Sequence, residues 1–192
     1  MPSTGAPPYR VAITGIGPVT AVGSGKEAFL RGLRAARSPI RRATRFEPDQ
    51  WRSHLAAEVD DFDPADFLDA QQVRRLDRFM HFAVATTRMA LEDAGLEPGD
   101  VDRDGVAVQF GSALGGVAYA EEQVVNLVTR GKRAVDPRVA LTTFGGAASC
   151  GVAIEFGFTG PNATNAMSCA SGTIAIGEGF RLIRDGTSDM AV

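Results

Sequence analysis

The segment from Asn162 to Gly177 constrains this chain more than any other. Its residues predict a short strand, a sharp turn at Ser168–Cys169, and then a helix rich in small side chains. A cysteine at such a turn lies where the free N–H groups and the positive dipole end of the helix meet, which favours the nucleophilic thiolate. Small neighbours on both sides leave room for a substrate to approach. We therefore interpret Cys169 as a covalent catalyst of acyl transfer.

Charge and composition exclude several classes of function. The 192 residues carry a net charge of −3 and are 44% hydrophobic and 22% charged, which is ordinary for a soluble globular domain. Nothing in this balance indicates binding to nucleic acid or to an anionic membrane. We interpret a cluster of six arginines as solvated surface, with a docking patch for an acidic partner as the alternative. These residues are Arg31, Arg34, Arg37, Arg41, Arg42 and Arg45.

The chain has two cysteines, Cys150 and Cys169. Their spacing suggests neither a disulfide framework nor a metal site, and we predict no metal and no cofactor. Cys150 lies in a predicted helix of small residues and is interpreted as a buried core side chain. The N-terminus lacks the pattern of a signal peptide, and no apolar run reaches the length of a membrane span. We therefore predict a cytoplasmic protein, since free thiols persist in that compartment.

Strands and helices alternate along the chain, which predicts an α/β fold with a mostly parallel sheet. Residues 1–8 are Pro-rich and predicted to be disordered, and residues 38–69 are predicted to be an irregular insertion with one weak strand, Leu55 to Val59. Ser24 and Glu27 are expected to form a capping box at the first helix. The other predicted strands are 10–15, 104–110, a segment before Ser168, and 189–192. The predicted helices are 24–36, 69–94, 117–128, 142–156 and 170–184.

A glycine-rich loop, Gly111-Ser-Ala-Leu-Gly-Gly116, follows the predicted strand 104–110. It lacks the lysine and hydroxyl residue of a phosphate-binding loop. The earlier pair Gly15-x-Gly17 lacks the third glycine and the acidic residue of a dinucleotide fingerprint. In parallel sheets, ligands bind beyond the carboxyl ends of the strands. We therefore expect this loop and Cys169 to face one pocket, with Leu114 as an apolar wall.

Six short motifs occur in order along the chain. They are Arg10-Val-Ala-Ile-Thr-Gly-Ile-Gly-Pro-Val-Thr20, Leu76-Asp-Arg-Phe79, Asp93-Ala-Gly-Leu96, Gly111-Ser-Ala-Leu-Gly-Gly116, Gly160-Pro-Asn162 and Ser168-Cys-Ala-Ser-Gly172. Several are weak individually, but as an ordered set they are specific. The set resembles the N-terminal half of the β-ketoacyl-(acyl-carrier-protein) synthases. The resemblance is closest to the elongating condensing enzymes of type II fatty acid synthesis and to polyketide ketosynthases.

The resemblance implies a thiolase-like fold, with residues 9–192 as the N-terminal ketoacyl synthase domain. In that family two similar halves, each with a five-stranded mixed sheet, form an αβαβα core, usually in a homodimer. Cys169 would receive an acyl chain from acyl carrier protein as a thioester, and its backbone N–H would be one donor to the oxyanion. Malonyl-carrier protein would lose carbon dioxide, and its carbanion would attack the thioester to give 3-oxoacyl-carrier protein. The implied substrate-binding residues are Gly111, Leu114, Gly115, Gly116 and Ser171.

The chain also departs from the family pattern. Met167-Ser168 stands where many members have threonine-alanine. The family's two catalytic histidines and lysine come from a second half that is absent here, and His54 and His81 lie outside the matching motif. His81 is interpreted as a surface or packing residue. We expect this chain alone to be inactive in condensation, and to aggregate, dimerise or need the missing C-terminal half. The alternatives are a polyketide ketosynthase, a non-catalytic interaction subunit, and an enzyme that uses coenzyme A thioesters.

Overall fold

The computed structural model describes residues 9–192, so the tail predicted at 1–8 lies outside the described residues. The helices are α1 Lys26–Ala35, α2 Ala70–Arg75, α3 Arg78–Ala94, α4 Val117–Arg130, α5 Val139–Thr142, α6 Ala147–Phe156 and α7 Ser171–Arg184. The strands are β1 Val19–Thr20, β2 Gly23–Ser24, β3 Arg41–Arg42, β4 Leu55–Ala56, β5 Val106–Gly111, β6 Asn162–Asn165 and β7 Met190–Ala191. Within residues 9–192, none of the helices combines the length and the apolar character needed to cross a membrane.

Strand β5 is the centre of a three-stranded parallel sheet, with β6 on one side and β7 on the other. Val106 and Val108 are buried in one cluster with residues of α6, whereas Gly111 lies against the first residue of α7. Because alternate residues of a strand face opposite sides of the sheet, α6 and α7 cover opposite faces. Helix α3 packs behind α6. The predicted parallel sheet with helices on both faces is therefore confirmed.

The segment 10–15, predicted as a buried strand, is not a strand. It pairs with no other segment of the described chain, and Ile13 is 80% exposed. A Cβ added to Gly15 or to Gly17 would lie 2.0 Å from a backbone oxygen of α3. The two glycines therefore allow this segment to pass directly over α3. An apolar run does not specify which segment would cover it or pair with it, and this is why both the predicted burial and the predicted strand were wrong.

Helix α1 begins at Lys26, and the predicted capping box is wrong. Gly25 is the N-cap, at φ 82°, and no side chain caps this end. Ser24 instead belongs to β2, and its N–H and hydroxyl donate to the Asp61 carboxylate at 3.1 and 2.9 Å. Because the strand pairing directs Ser24 towards Asp61, its hydroxyl is not available to the helix.

The single helix predicted over 69–94 is two helices, α2 and α3. Leu76 between them is extended, at φ −97° and ψ 149°. Asp69 caps α2 with a capping box that includes Gln72, and Asp77 caps α3 by accepting from the N–H of Phe79 at 3.0 Å. An aspartate that caps a new helix competes with continuation of the previous one. The apolar period continues across the break and conceals it.

The helix predicted over 142–156 begins later than expected. Helix α6 starts only at Ala147, and residues 143–146, which include Gly145 and Gly146, separate it from the end of α5 at Thr142. Cys150 on α6 is exposed, so its predicted place in the core is wrong. Ile154, four residues later, is 83% exposed, whereas Val152 is fully buried. Helix α6 carries apolar residues on all sides, but only one face packs on the sheet and α3. Composition alone could not tell which face that is.

Residues 38–69 contain two short strands, β3 and β4, of two residues each, which pair antiparallel as a hairpin. The strand predicted over Leu55 to Val59 stops at Ala56. Beyond it, the carboxylate of Glu58 is buried and accepts hydrogen bonds from the N–H and the hydroxyl of Thr44. These hydrogen bonds hold the pKa of Glu58 below its usual value. The glutamate therefore closes the hairpin by hydrogen bonding rather than by strand pairing.

Candidate active site

Cys169 lies in a single 3₁₀ turn, Ser168–Ala170, that leads directly into α7. Its side chain is exposed. Ser168 has a left-handed backbone, at φ 50°, which is uncommon for a residue other than glycine. The chain thus reverses sharply after β6 and presents the cysteine at the start of a 14-residue helix. The predicted strand, turn and helix are confirmed, and the sulfur is neither enclosed nor in the middle of the helix.

The backbone N–H groups of this turn are partly free. The N–H of Ala170 donates to the carbonyl of Met167 at 3.1 Å, and that of Ser171 donates to the carbonyl of Ser168. Among residues 9–192, no acceptor receives the N–H of Cys169. The first N–H groups of a helix have no partner inside the helix. This N–H is therefore available to a negative charge that forms beside the sulfur.

Asn165, the last residue of β6, holds the turn in place. Its side-chain NH₂ donates to the carbonyl of Phe110 at 3.2 Å and to that of Ser171 at 3.0 Å. Its side-chain oxygen accepts from the N–H of Met167 at 3.3 Å. One amide thus connects the end of β5, the turn and the start of α7. We did not single out Asn165 from the sequence, although an asparagine at a strand end four residues before the cysteine was a usable signal.

Gly111 brings the end of β5 against the start of α7. A Cβ at this position would lie 2.2 Å from the backbone carbon of Ser171 and 2.6 Å from the nitrogen of Gly172. Ser171 itself is buried. Of the predicted substrate-binding residues, Gly111 and Ser171 are therefore in direct contact, and Ser171 is two residues after Cys169.

The loop 112–116 continues from Gly111 and connects two parts of the molecule. At one end the N–H of Ser112 donates to the carbonyl of Asn165 at 3.0 Å. At the other end the N–H of Gly116 donates to the carbonyl of Thr143 at 3.2 Å. Inside the loop, the N–H of Gly115 donates to the hydroxyl of Ser112 at 3.0 Å. The loop is thus fixed both to β6, close to Cys169, and to the end of α5.

Leu114, at the middle of this loop, is 71% exposed. It is not part of the buried core of residues 9–192. Its neighbour Gly115 has φ 55°, in the left-handed region that glycine adopts without strain. The loop therefore presents Leu114 outward, and the roles of Leu114, Gly115 and Gly116 in substrate binding stay predictions.

Neither histidine contributes to the turn that carries Cys169. His81 is buried on α3, and its Nε2 atom has no hydrogen-bond partner among the described residues. Burial lowers the pKa of His81, which favours the neutral imidazole. No side-chain hydrogen bond within residues 9–192 joins His54 or His81 to the turn. His81 thus has the place of a packing residue, in agreement with its interpretation from the sequence.

Comparison with known proteins identifies the family. A family model described as "Beta-ketoacyl synthase, N-terminal domain" matches residues 9–192. The chain belongs to the beta-ketoacyl synthase family. It is similar to the 3-oxoacyl-[acyl-carrier-protein] synthase 2 of Synechocystis sp., with 35% identity over 177 residues that cover 92% of this chain and 42% of that protein. The protein of the same name from Coxiella burnetii is 34% identical over 183 residues, which cover 95% of this chain and 44% of that protein.

A solved structure agrees with this membership. The ishigamide ketosynthase/chain length factor matches with a TM-score of 0.88 and 31% identity, over 96% of this chain and 46% of that chain. The beta-ketoacyl synthase chain described here therefore has the fold of the N-terminal half of a thiolase-like ketosynthase, as predicted. It spans less than half the length of the curated relatives that it matches.

Proposed function

We propose that this chain supplies the nucleophile of an enzyme that elongates acyl chains by decarboxylating Claisen condensation. The sulfur of Cys169 attacks the thioester of an acyl-carrier protein, the bond from the acyl carbon to the carrier sulfur breaks, and the carrier thiol leaves. Malonyl-carrier protein then loses carbon dioxide, and the resulting carbanion attacks the acyl carbon held on Cys169. The carbon–sulfur bond breaks, the thiolate returns, and 3-oxoacyl-carrier protein is released.

The position of Cys169 is the observation that carries this proposal. The cysteine is exposed, it opens α7, and its own N–H is free to donate. When the sulfur of Cys169 or the carbanion attacks a thioester, the carbonyl oxygen of that thioester becomes an oxyanion close to this N–H. A donor held there by the turn stabilises the oxyanion more than the ground-state carbonyl.

The names of the relatives support acyl carrier protein as the partner, because both curated relatives are 3-oxoacyl-[acyl-carrier-protein] synthases. Those proteins are more than twice as long as the region matched. We propose that a further segment of polypeptide, outside residues 1–192, assists the decarboxylation and supplies a second hydrogen-bond donor to the oxyanion. We further propose that the working enzyme is a homodimer. In this arrangement, loading of the acyl group is the first step in which Cys169 of the present chain reacts.

Acyl loading gives the experiment. The chain is incubated with octanoyl-acyl carrier protein, and the acylated residue is located by mass spectrometry of the intact protein and of its peptides. The parent and the Cys150→Ala variant should each gain one octanoyl group, on Cys169, whereas Cys169→Ala should gain none. Cys150 is a matched control because it is also an exposed cysteine at a helix. Equal acylation of Cys169→Ala and the parent would overturn the proposal.

Two other outcomes would select a different function. Loading from octanoyl-coenzyme A but not from the carrier protein would indicate an enzyme of coenzyme A thioesters. No loading from either donor, together with equally slow alkylation of both cysteines by iodoacetamide, would indicate a non-catalytic subunit.

A further inference from the structure

Asp136 is the centre of a hydrogen-bonded group that joins α4 to α5. Its carboxylate accepts from the hydroxyl of Tyr119 at 2.7 Å, and from the backbone N–H and the Nε of Arg138 at 2.8 and 2.9 Å. The Nη2 of Arg138 also donates to it. The N–H of Asp136 itself donates to the side-chain oxygen of Gln123 at 2.8 Å, and Gln123 is only 6% exposed. Two residues of α4 thus hold the segment that leads into α5.

The hydrogen bonds in this group determine the protonation states of Asp136 and Tyr119. Hydrogen bonds from Arg138 are the main reason why the pKa of the Asp136 carboxyl lies well below its usual range. Burial, with the adjacent Asp136 carboxylate, raises the pKa of Tyr119 to about 12. Over the whole neutral range the aspartate is therefore ionised and the tyrosine is protonated, so the hydroxyl donates to the carboxylate. Hydrogen bonds to a charged group are stronger than those between neutral groups, so this junction is well fixed.

The junction sets the position of α5. The carbonyl of Asp136 accepts from the N–H of Val139 at 3.0 Å, and the carbonyl of Arg138 accepts from the N–H of Leu141 at 2.8 Å. These bonds start the helix directly from the anchored residues. Because α5 is a single turn, Val139–Thr142, its far end is also close to the anchor.

The far end of α5 touches the glycine-rich loop. The carbonyl of Thr143 accepts from the N–H of Gly116, and a Cβ on Gly116 would lie 2.5 Å from the carbonyl oxygen of Thr142. A Cβ on Gly115 would lie 2.9 Å from the oxygen of Thr143. The backbones are in contact with no side chain between them. A displacement of α5 would therefore be transmitted to the loop, and the other end of the loop is tied to Asn165 beside the Cys169 turn.

We propose that Asp136 is a positioning residue that sets the place of the loop 112–116, and of Leu114 within it, relative to Cys169. Leu114 lies between the loop's two fixed ends and is exposed, so it is the large apolar side chain that this loop offers to an aliphatic chain attached to Cys169. The network would thus influence which acyl chains are accepted. This inference rests on the proposed function, since it assumes that Cys169 carries the acyl chain.

The test uses N-methylmaleimide and N-octylmaleimide, which both form a thioether with a cysteine but differ in the length of the alkyl chain. Rates of modification at Cys169 and Cys150 are measured separately, by peptide mass spectrometry, on the full chain. In the parent, the rate ratio of the octyl to the methyl reagent should be higher at Cys169 than at Cys150. Asp136→Asn should lower the ratio at Cys169 about tenfold and leave the ratio at Cys150 unchanged.

Two further variants make the result specific. Tyr119→Phe removes a single hydroxyl from the network and should lower the ratio at Cys169 in the same direction but by less. Asp49→Asn is the matched control, because Asp49 also pairs with an arginine, Arg42, at 2.5 Å but is exposed on the hairpin segment. It should leave both ratios at their parental values.

Three results would overturn the inference. They are an unchanged ratio at Cys169 in both Asp136→Asn and Tyr119→Phe, a parental ratio that is equal at the two cysteines, and a parallel fall at both cysteines. The last would mean general loosening rather than positioning. Failure of the proposed function is a separate result: in the parent, Cys169 would then react with N-methylmaleimide no faster than Cys150.

Discussion

Gly111→Ala is the substitution that should disturb the active site most for the smallest change in chemistry. The added Cβ would lie 2.2 Å from the backbone carbon of Ser171 and 2.3 Å from its oxygen. Ordinary van der Waals contact begins at 3.4 Å, so β5 and the start of α7 must separate by about 1.2 Å. The atoms in the way belong to the backbone, and no side-chain rotation can relieve the contact.

The displacement gives the expected magnitudes. Overpacking of this kind lowers the free energy of unfolding by about 1–3 kcal/mol. Cys169 is two residues before Ser171 and would move with the start of α7. A misplacement of about 1 Å in an active site can cost about a hundredfold in rate. We therefore expect Gly111→Ala to slow acyl loading of Cys169 by roughly that factor.

The assay is the initial rate of octanoyl transfer from the carrier protein to Cys169, with urea unfolding on the same samples. Gly177→Ala is the control, because Gly177 lies in the same helix and a Cβ there would meet no atom within 4 Å. Alanine is the better helix former, so this variant should gain about 0.5–1 kcal/mol and load at the parental rate. If Gly111→Ala loads and unfolds like the parent, the close contact of β5 with α7 does not position the cysteine.

Two other predictions concern titration and association. Burial beside Asp136 raises the pKa of Tyr119 to about 12, whereas the pKa of a phenol in the unfolded chain is about 10. The folded state therefore holds this proton more tightly, and stability falls as the pH rises through that window. In an ultraviolet titration of the two tyrosines, Tyr119→Phe should remove the component with a midpoint near 12, and its persistence would refute the assignment. The accessible surface is 12342 Å², against about 8,800 Å² expected for a folded monomer of 20.2 kDa. Exposed apolar residues such as Val128, Leu141 and Ile176 contribute to the excess, so the chain should sediment as dimers or larger species; a monomer at all concentrations would contradict this.

The parts of the fold that could be predicted are those with a strong local signal. The run Val106–Val108 is apolar and contains two β-branched valines, and it forms the first half of the central strand. The turn at Ser168 follows a short strand and precedes a run of small residues, and it carries the exposed cysteine as expected. In both places the local preference and the tertiary structure agree.

The errors occurred where the outcome depends on residues far away in the chain. Whether Cys150 is buried depends on which face of α6 meets the sheet, and apolar residues occur on every side of this helix. Segment 10–15 has the composition of a strand, but within the described range it lies against α3 without a strand partner. The role of Asn165 depends on three contacts that only the folded chain brings together. Periodicity and composition contain no information about such partners.

The left-handed backbone of Ser168 means that the free-energy cost of orienting Cys169 is met during folding and not during catalysis. A non-glycine residue in that region carries strain of about 1–3 kcal/mol, which the surrounding contacts must balance once, as the protein folds. The direction of the neighbouring sulfur and N–H is then settled before any thioester arrives. Substrate binding energy need not be used to turn them, and it remains available for the condensation itself.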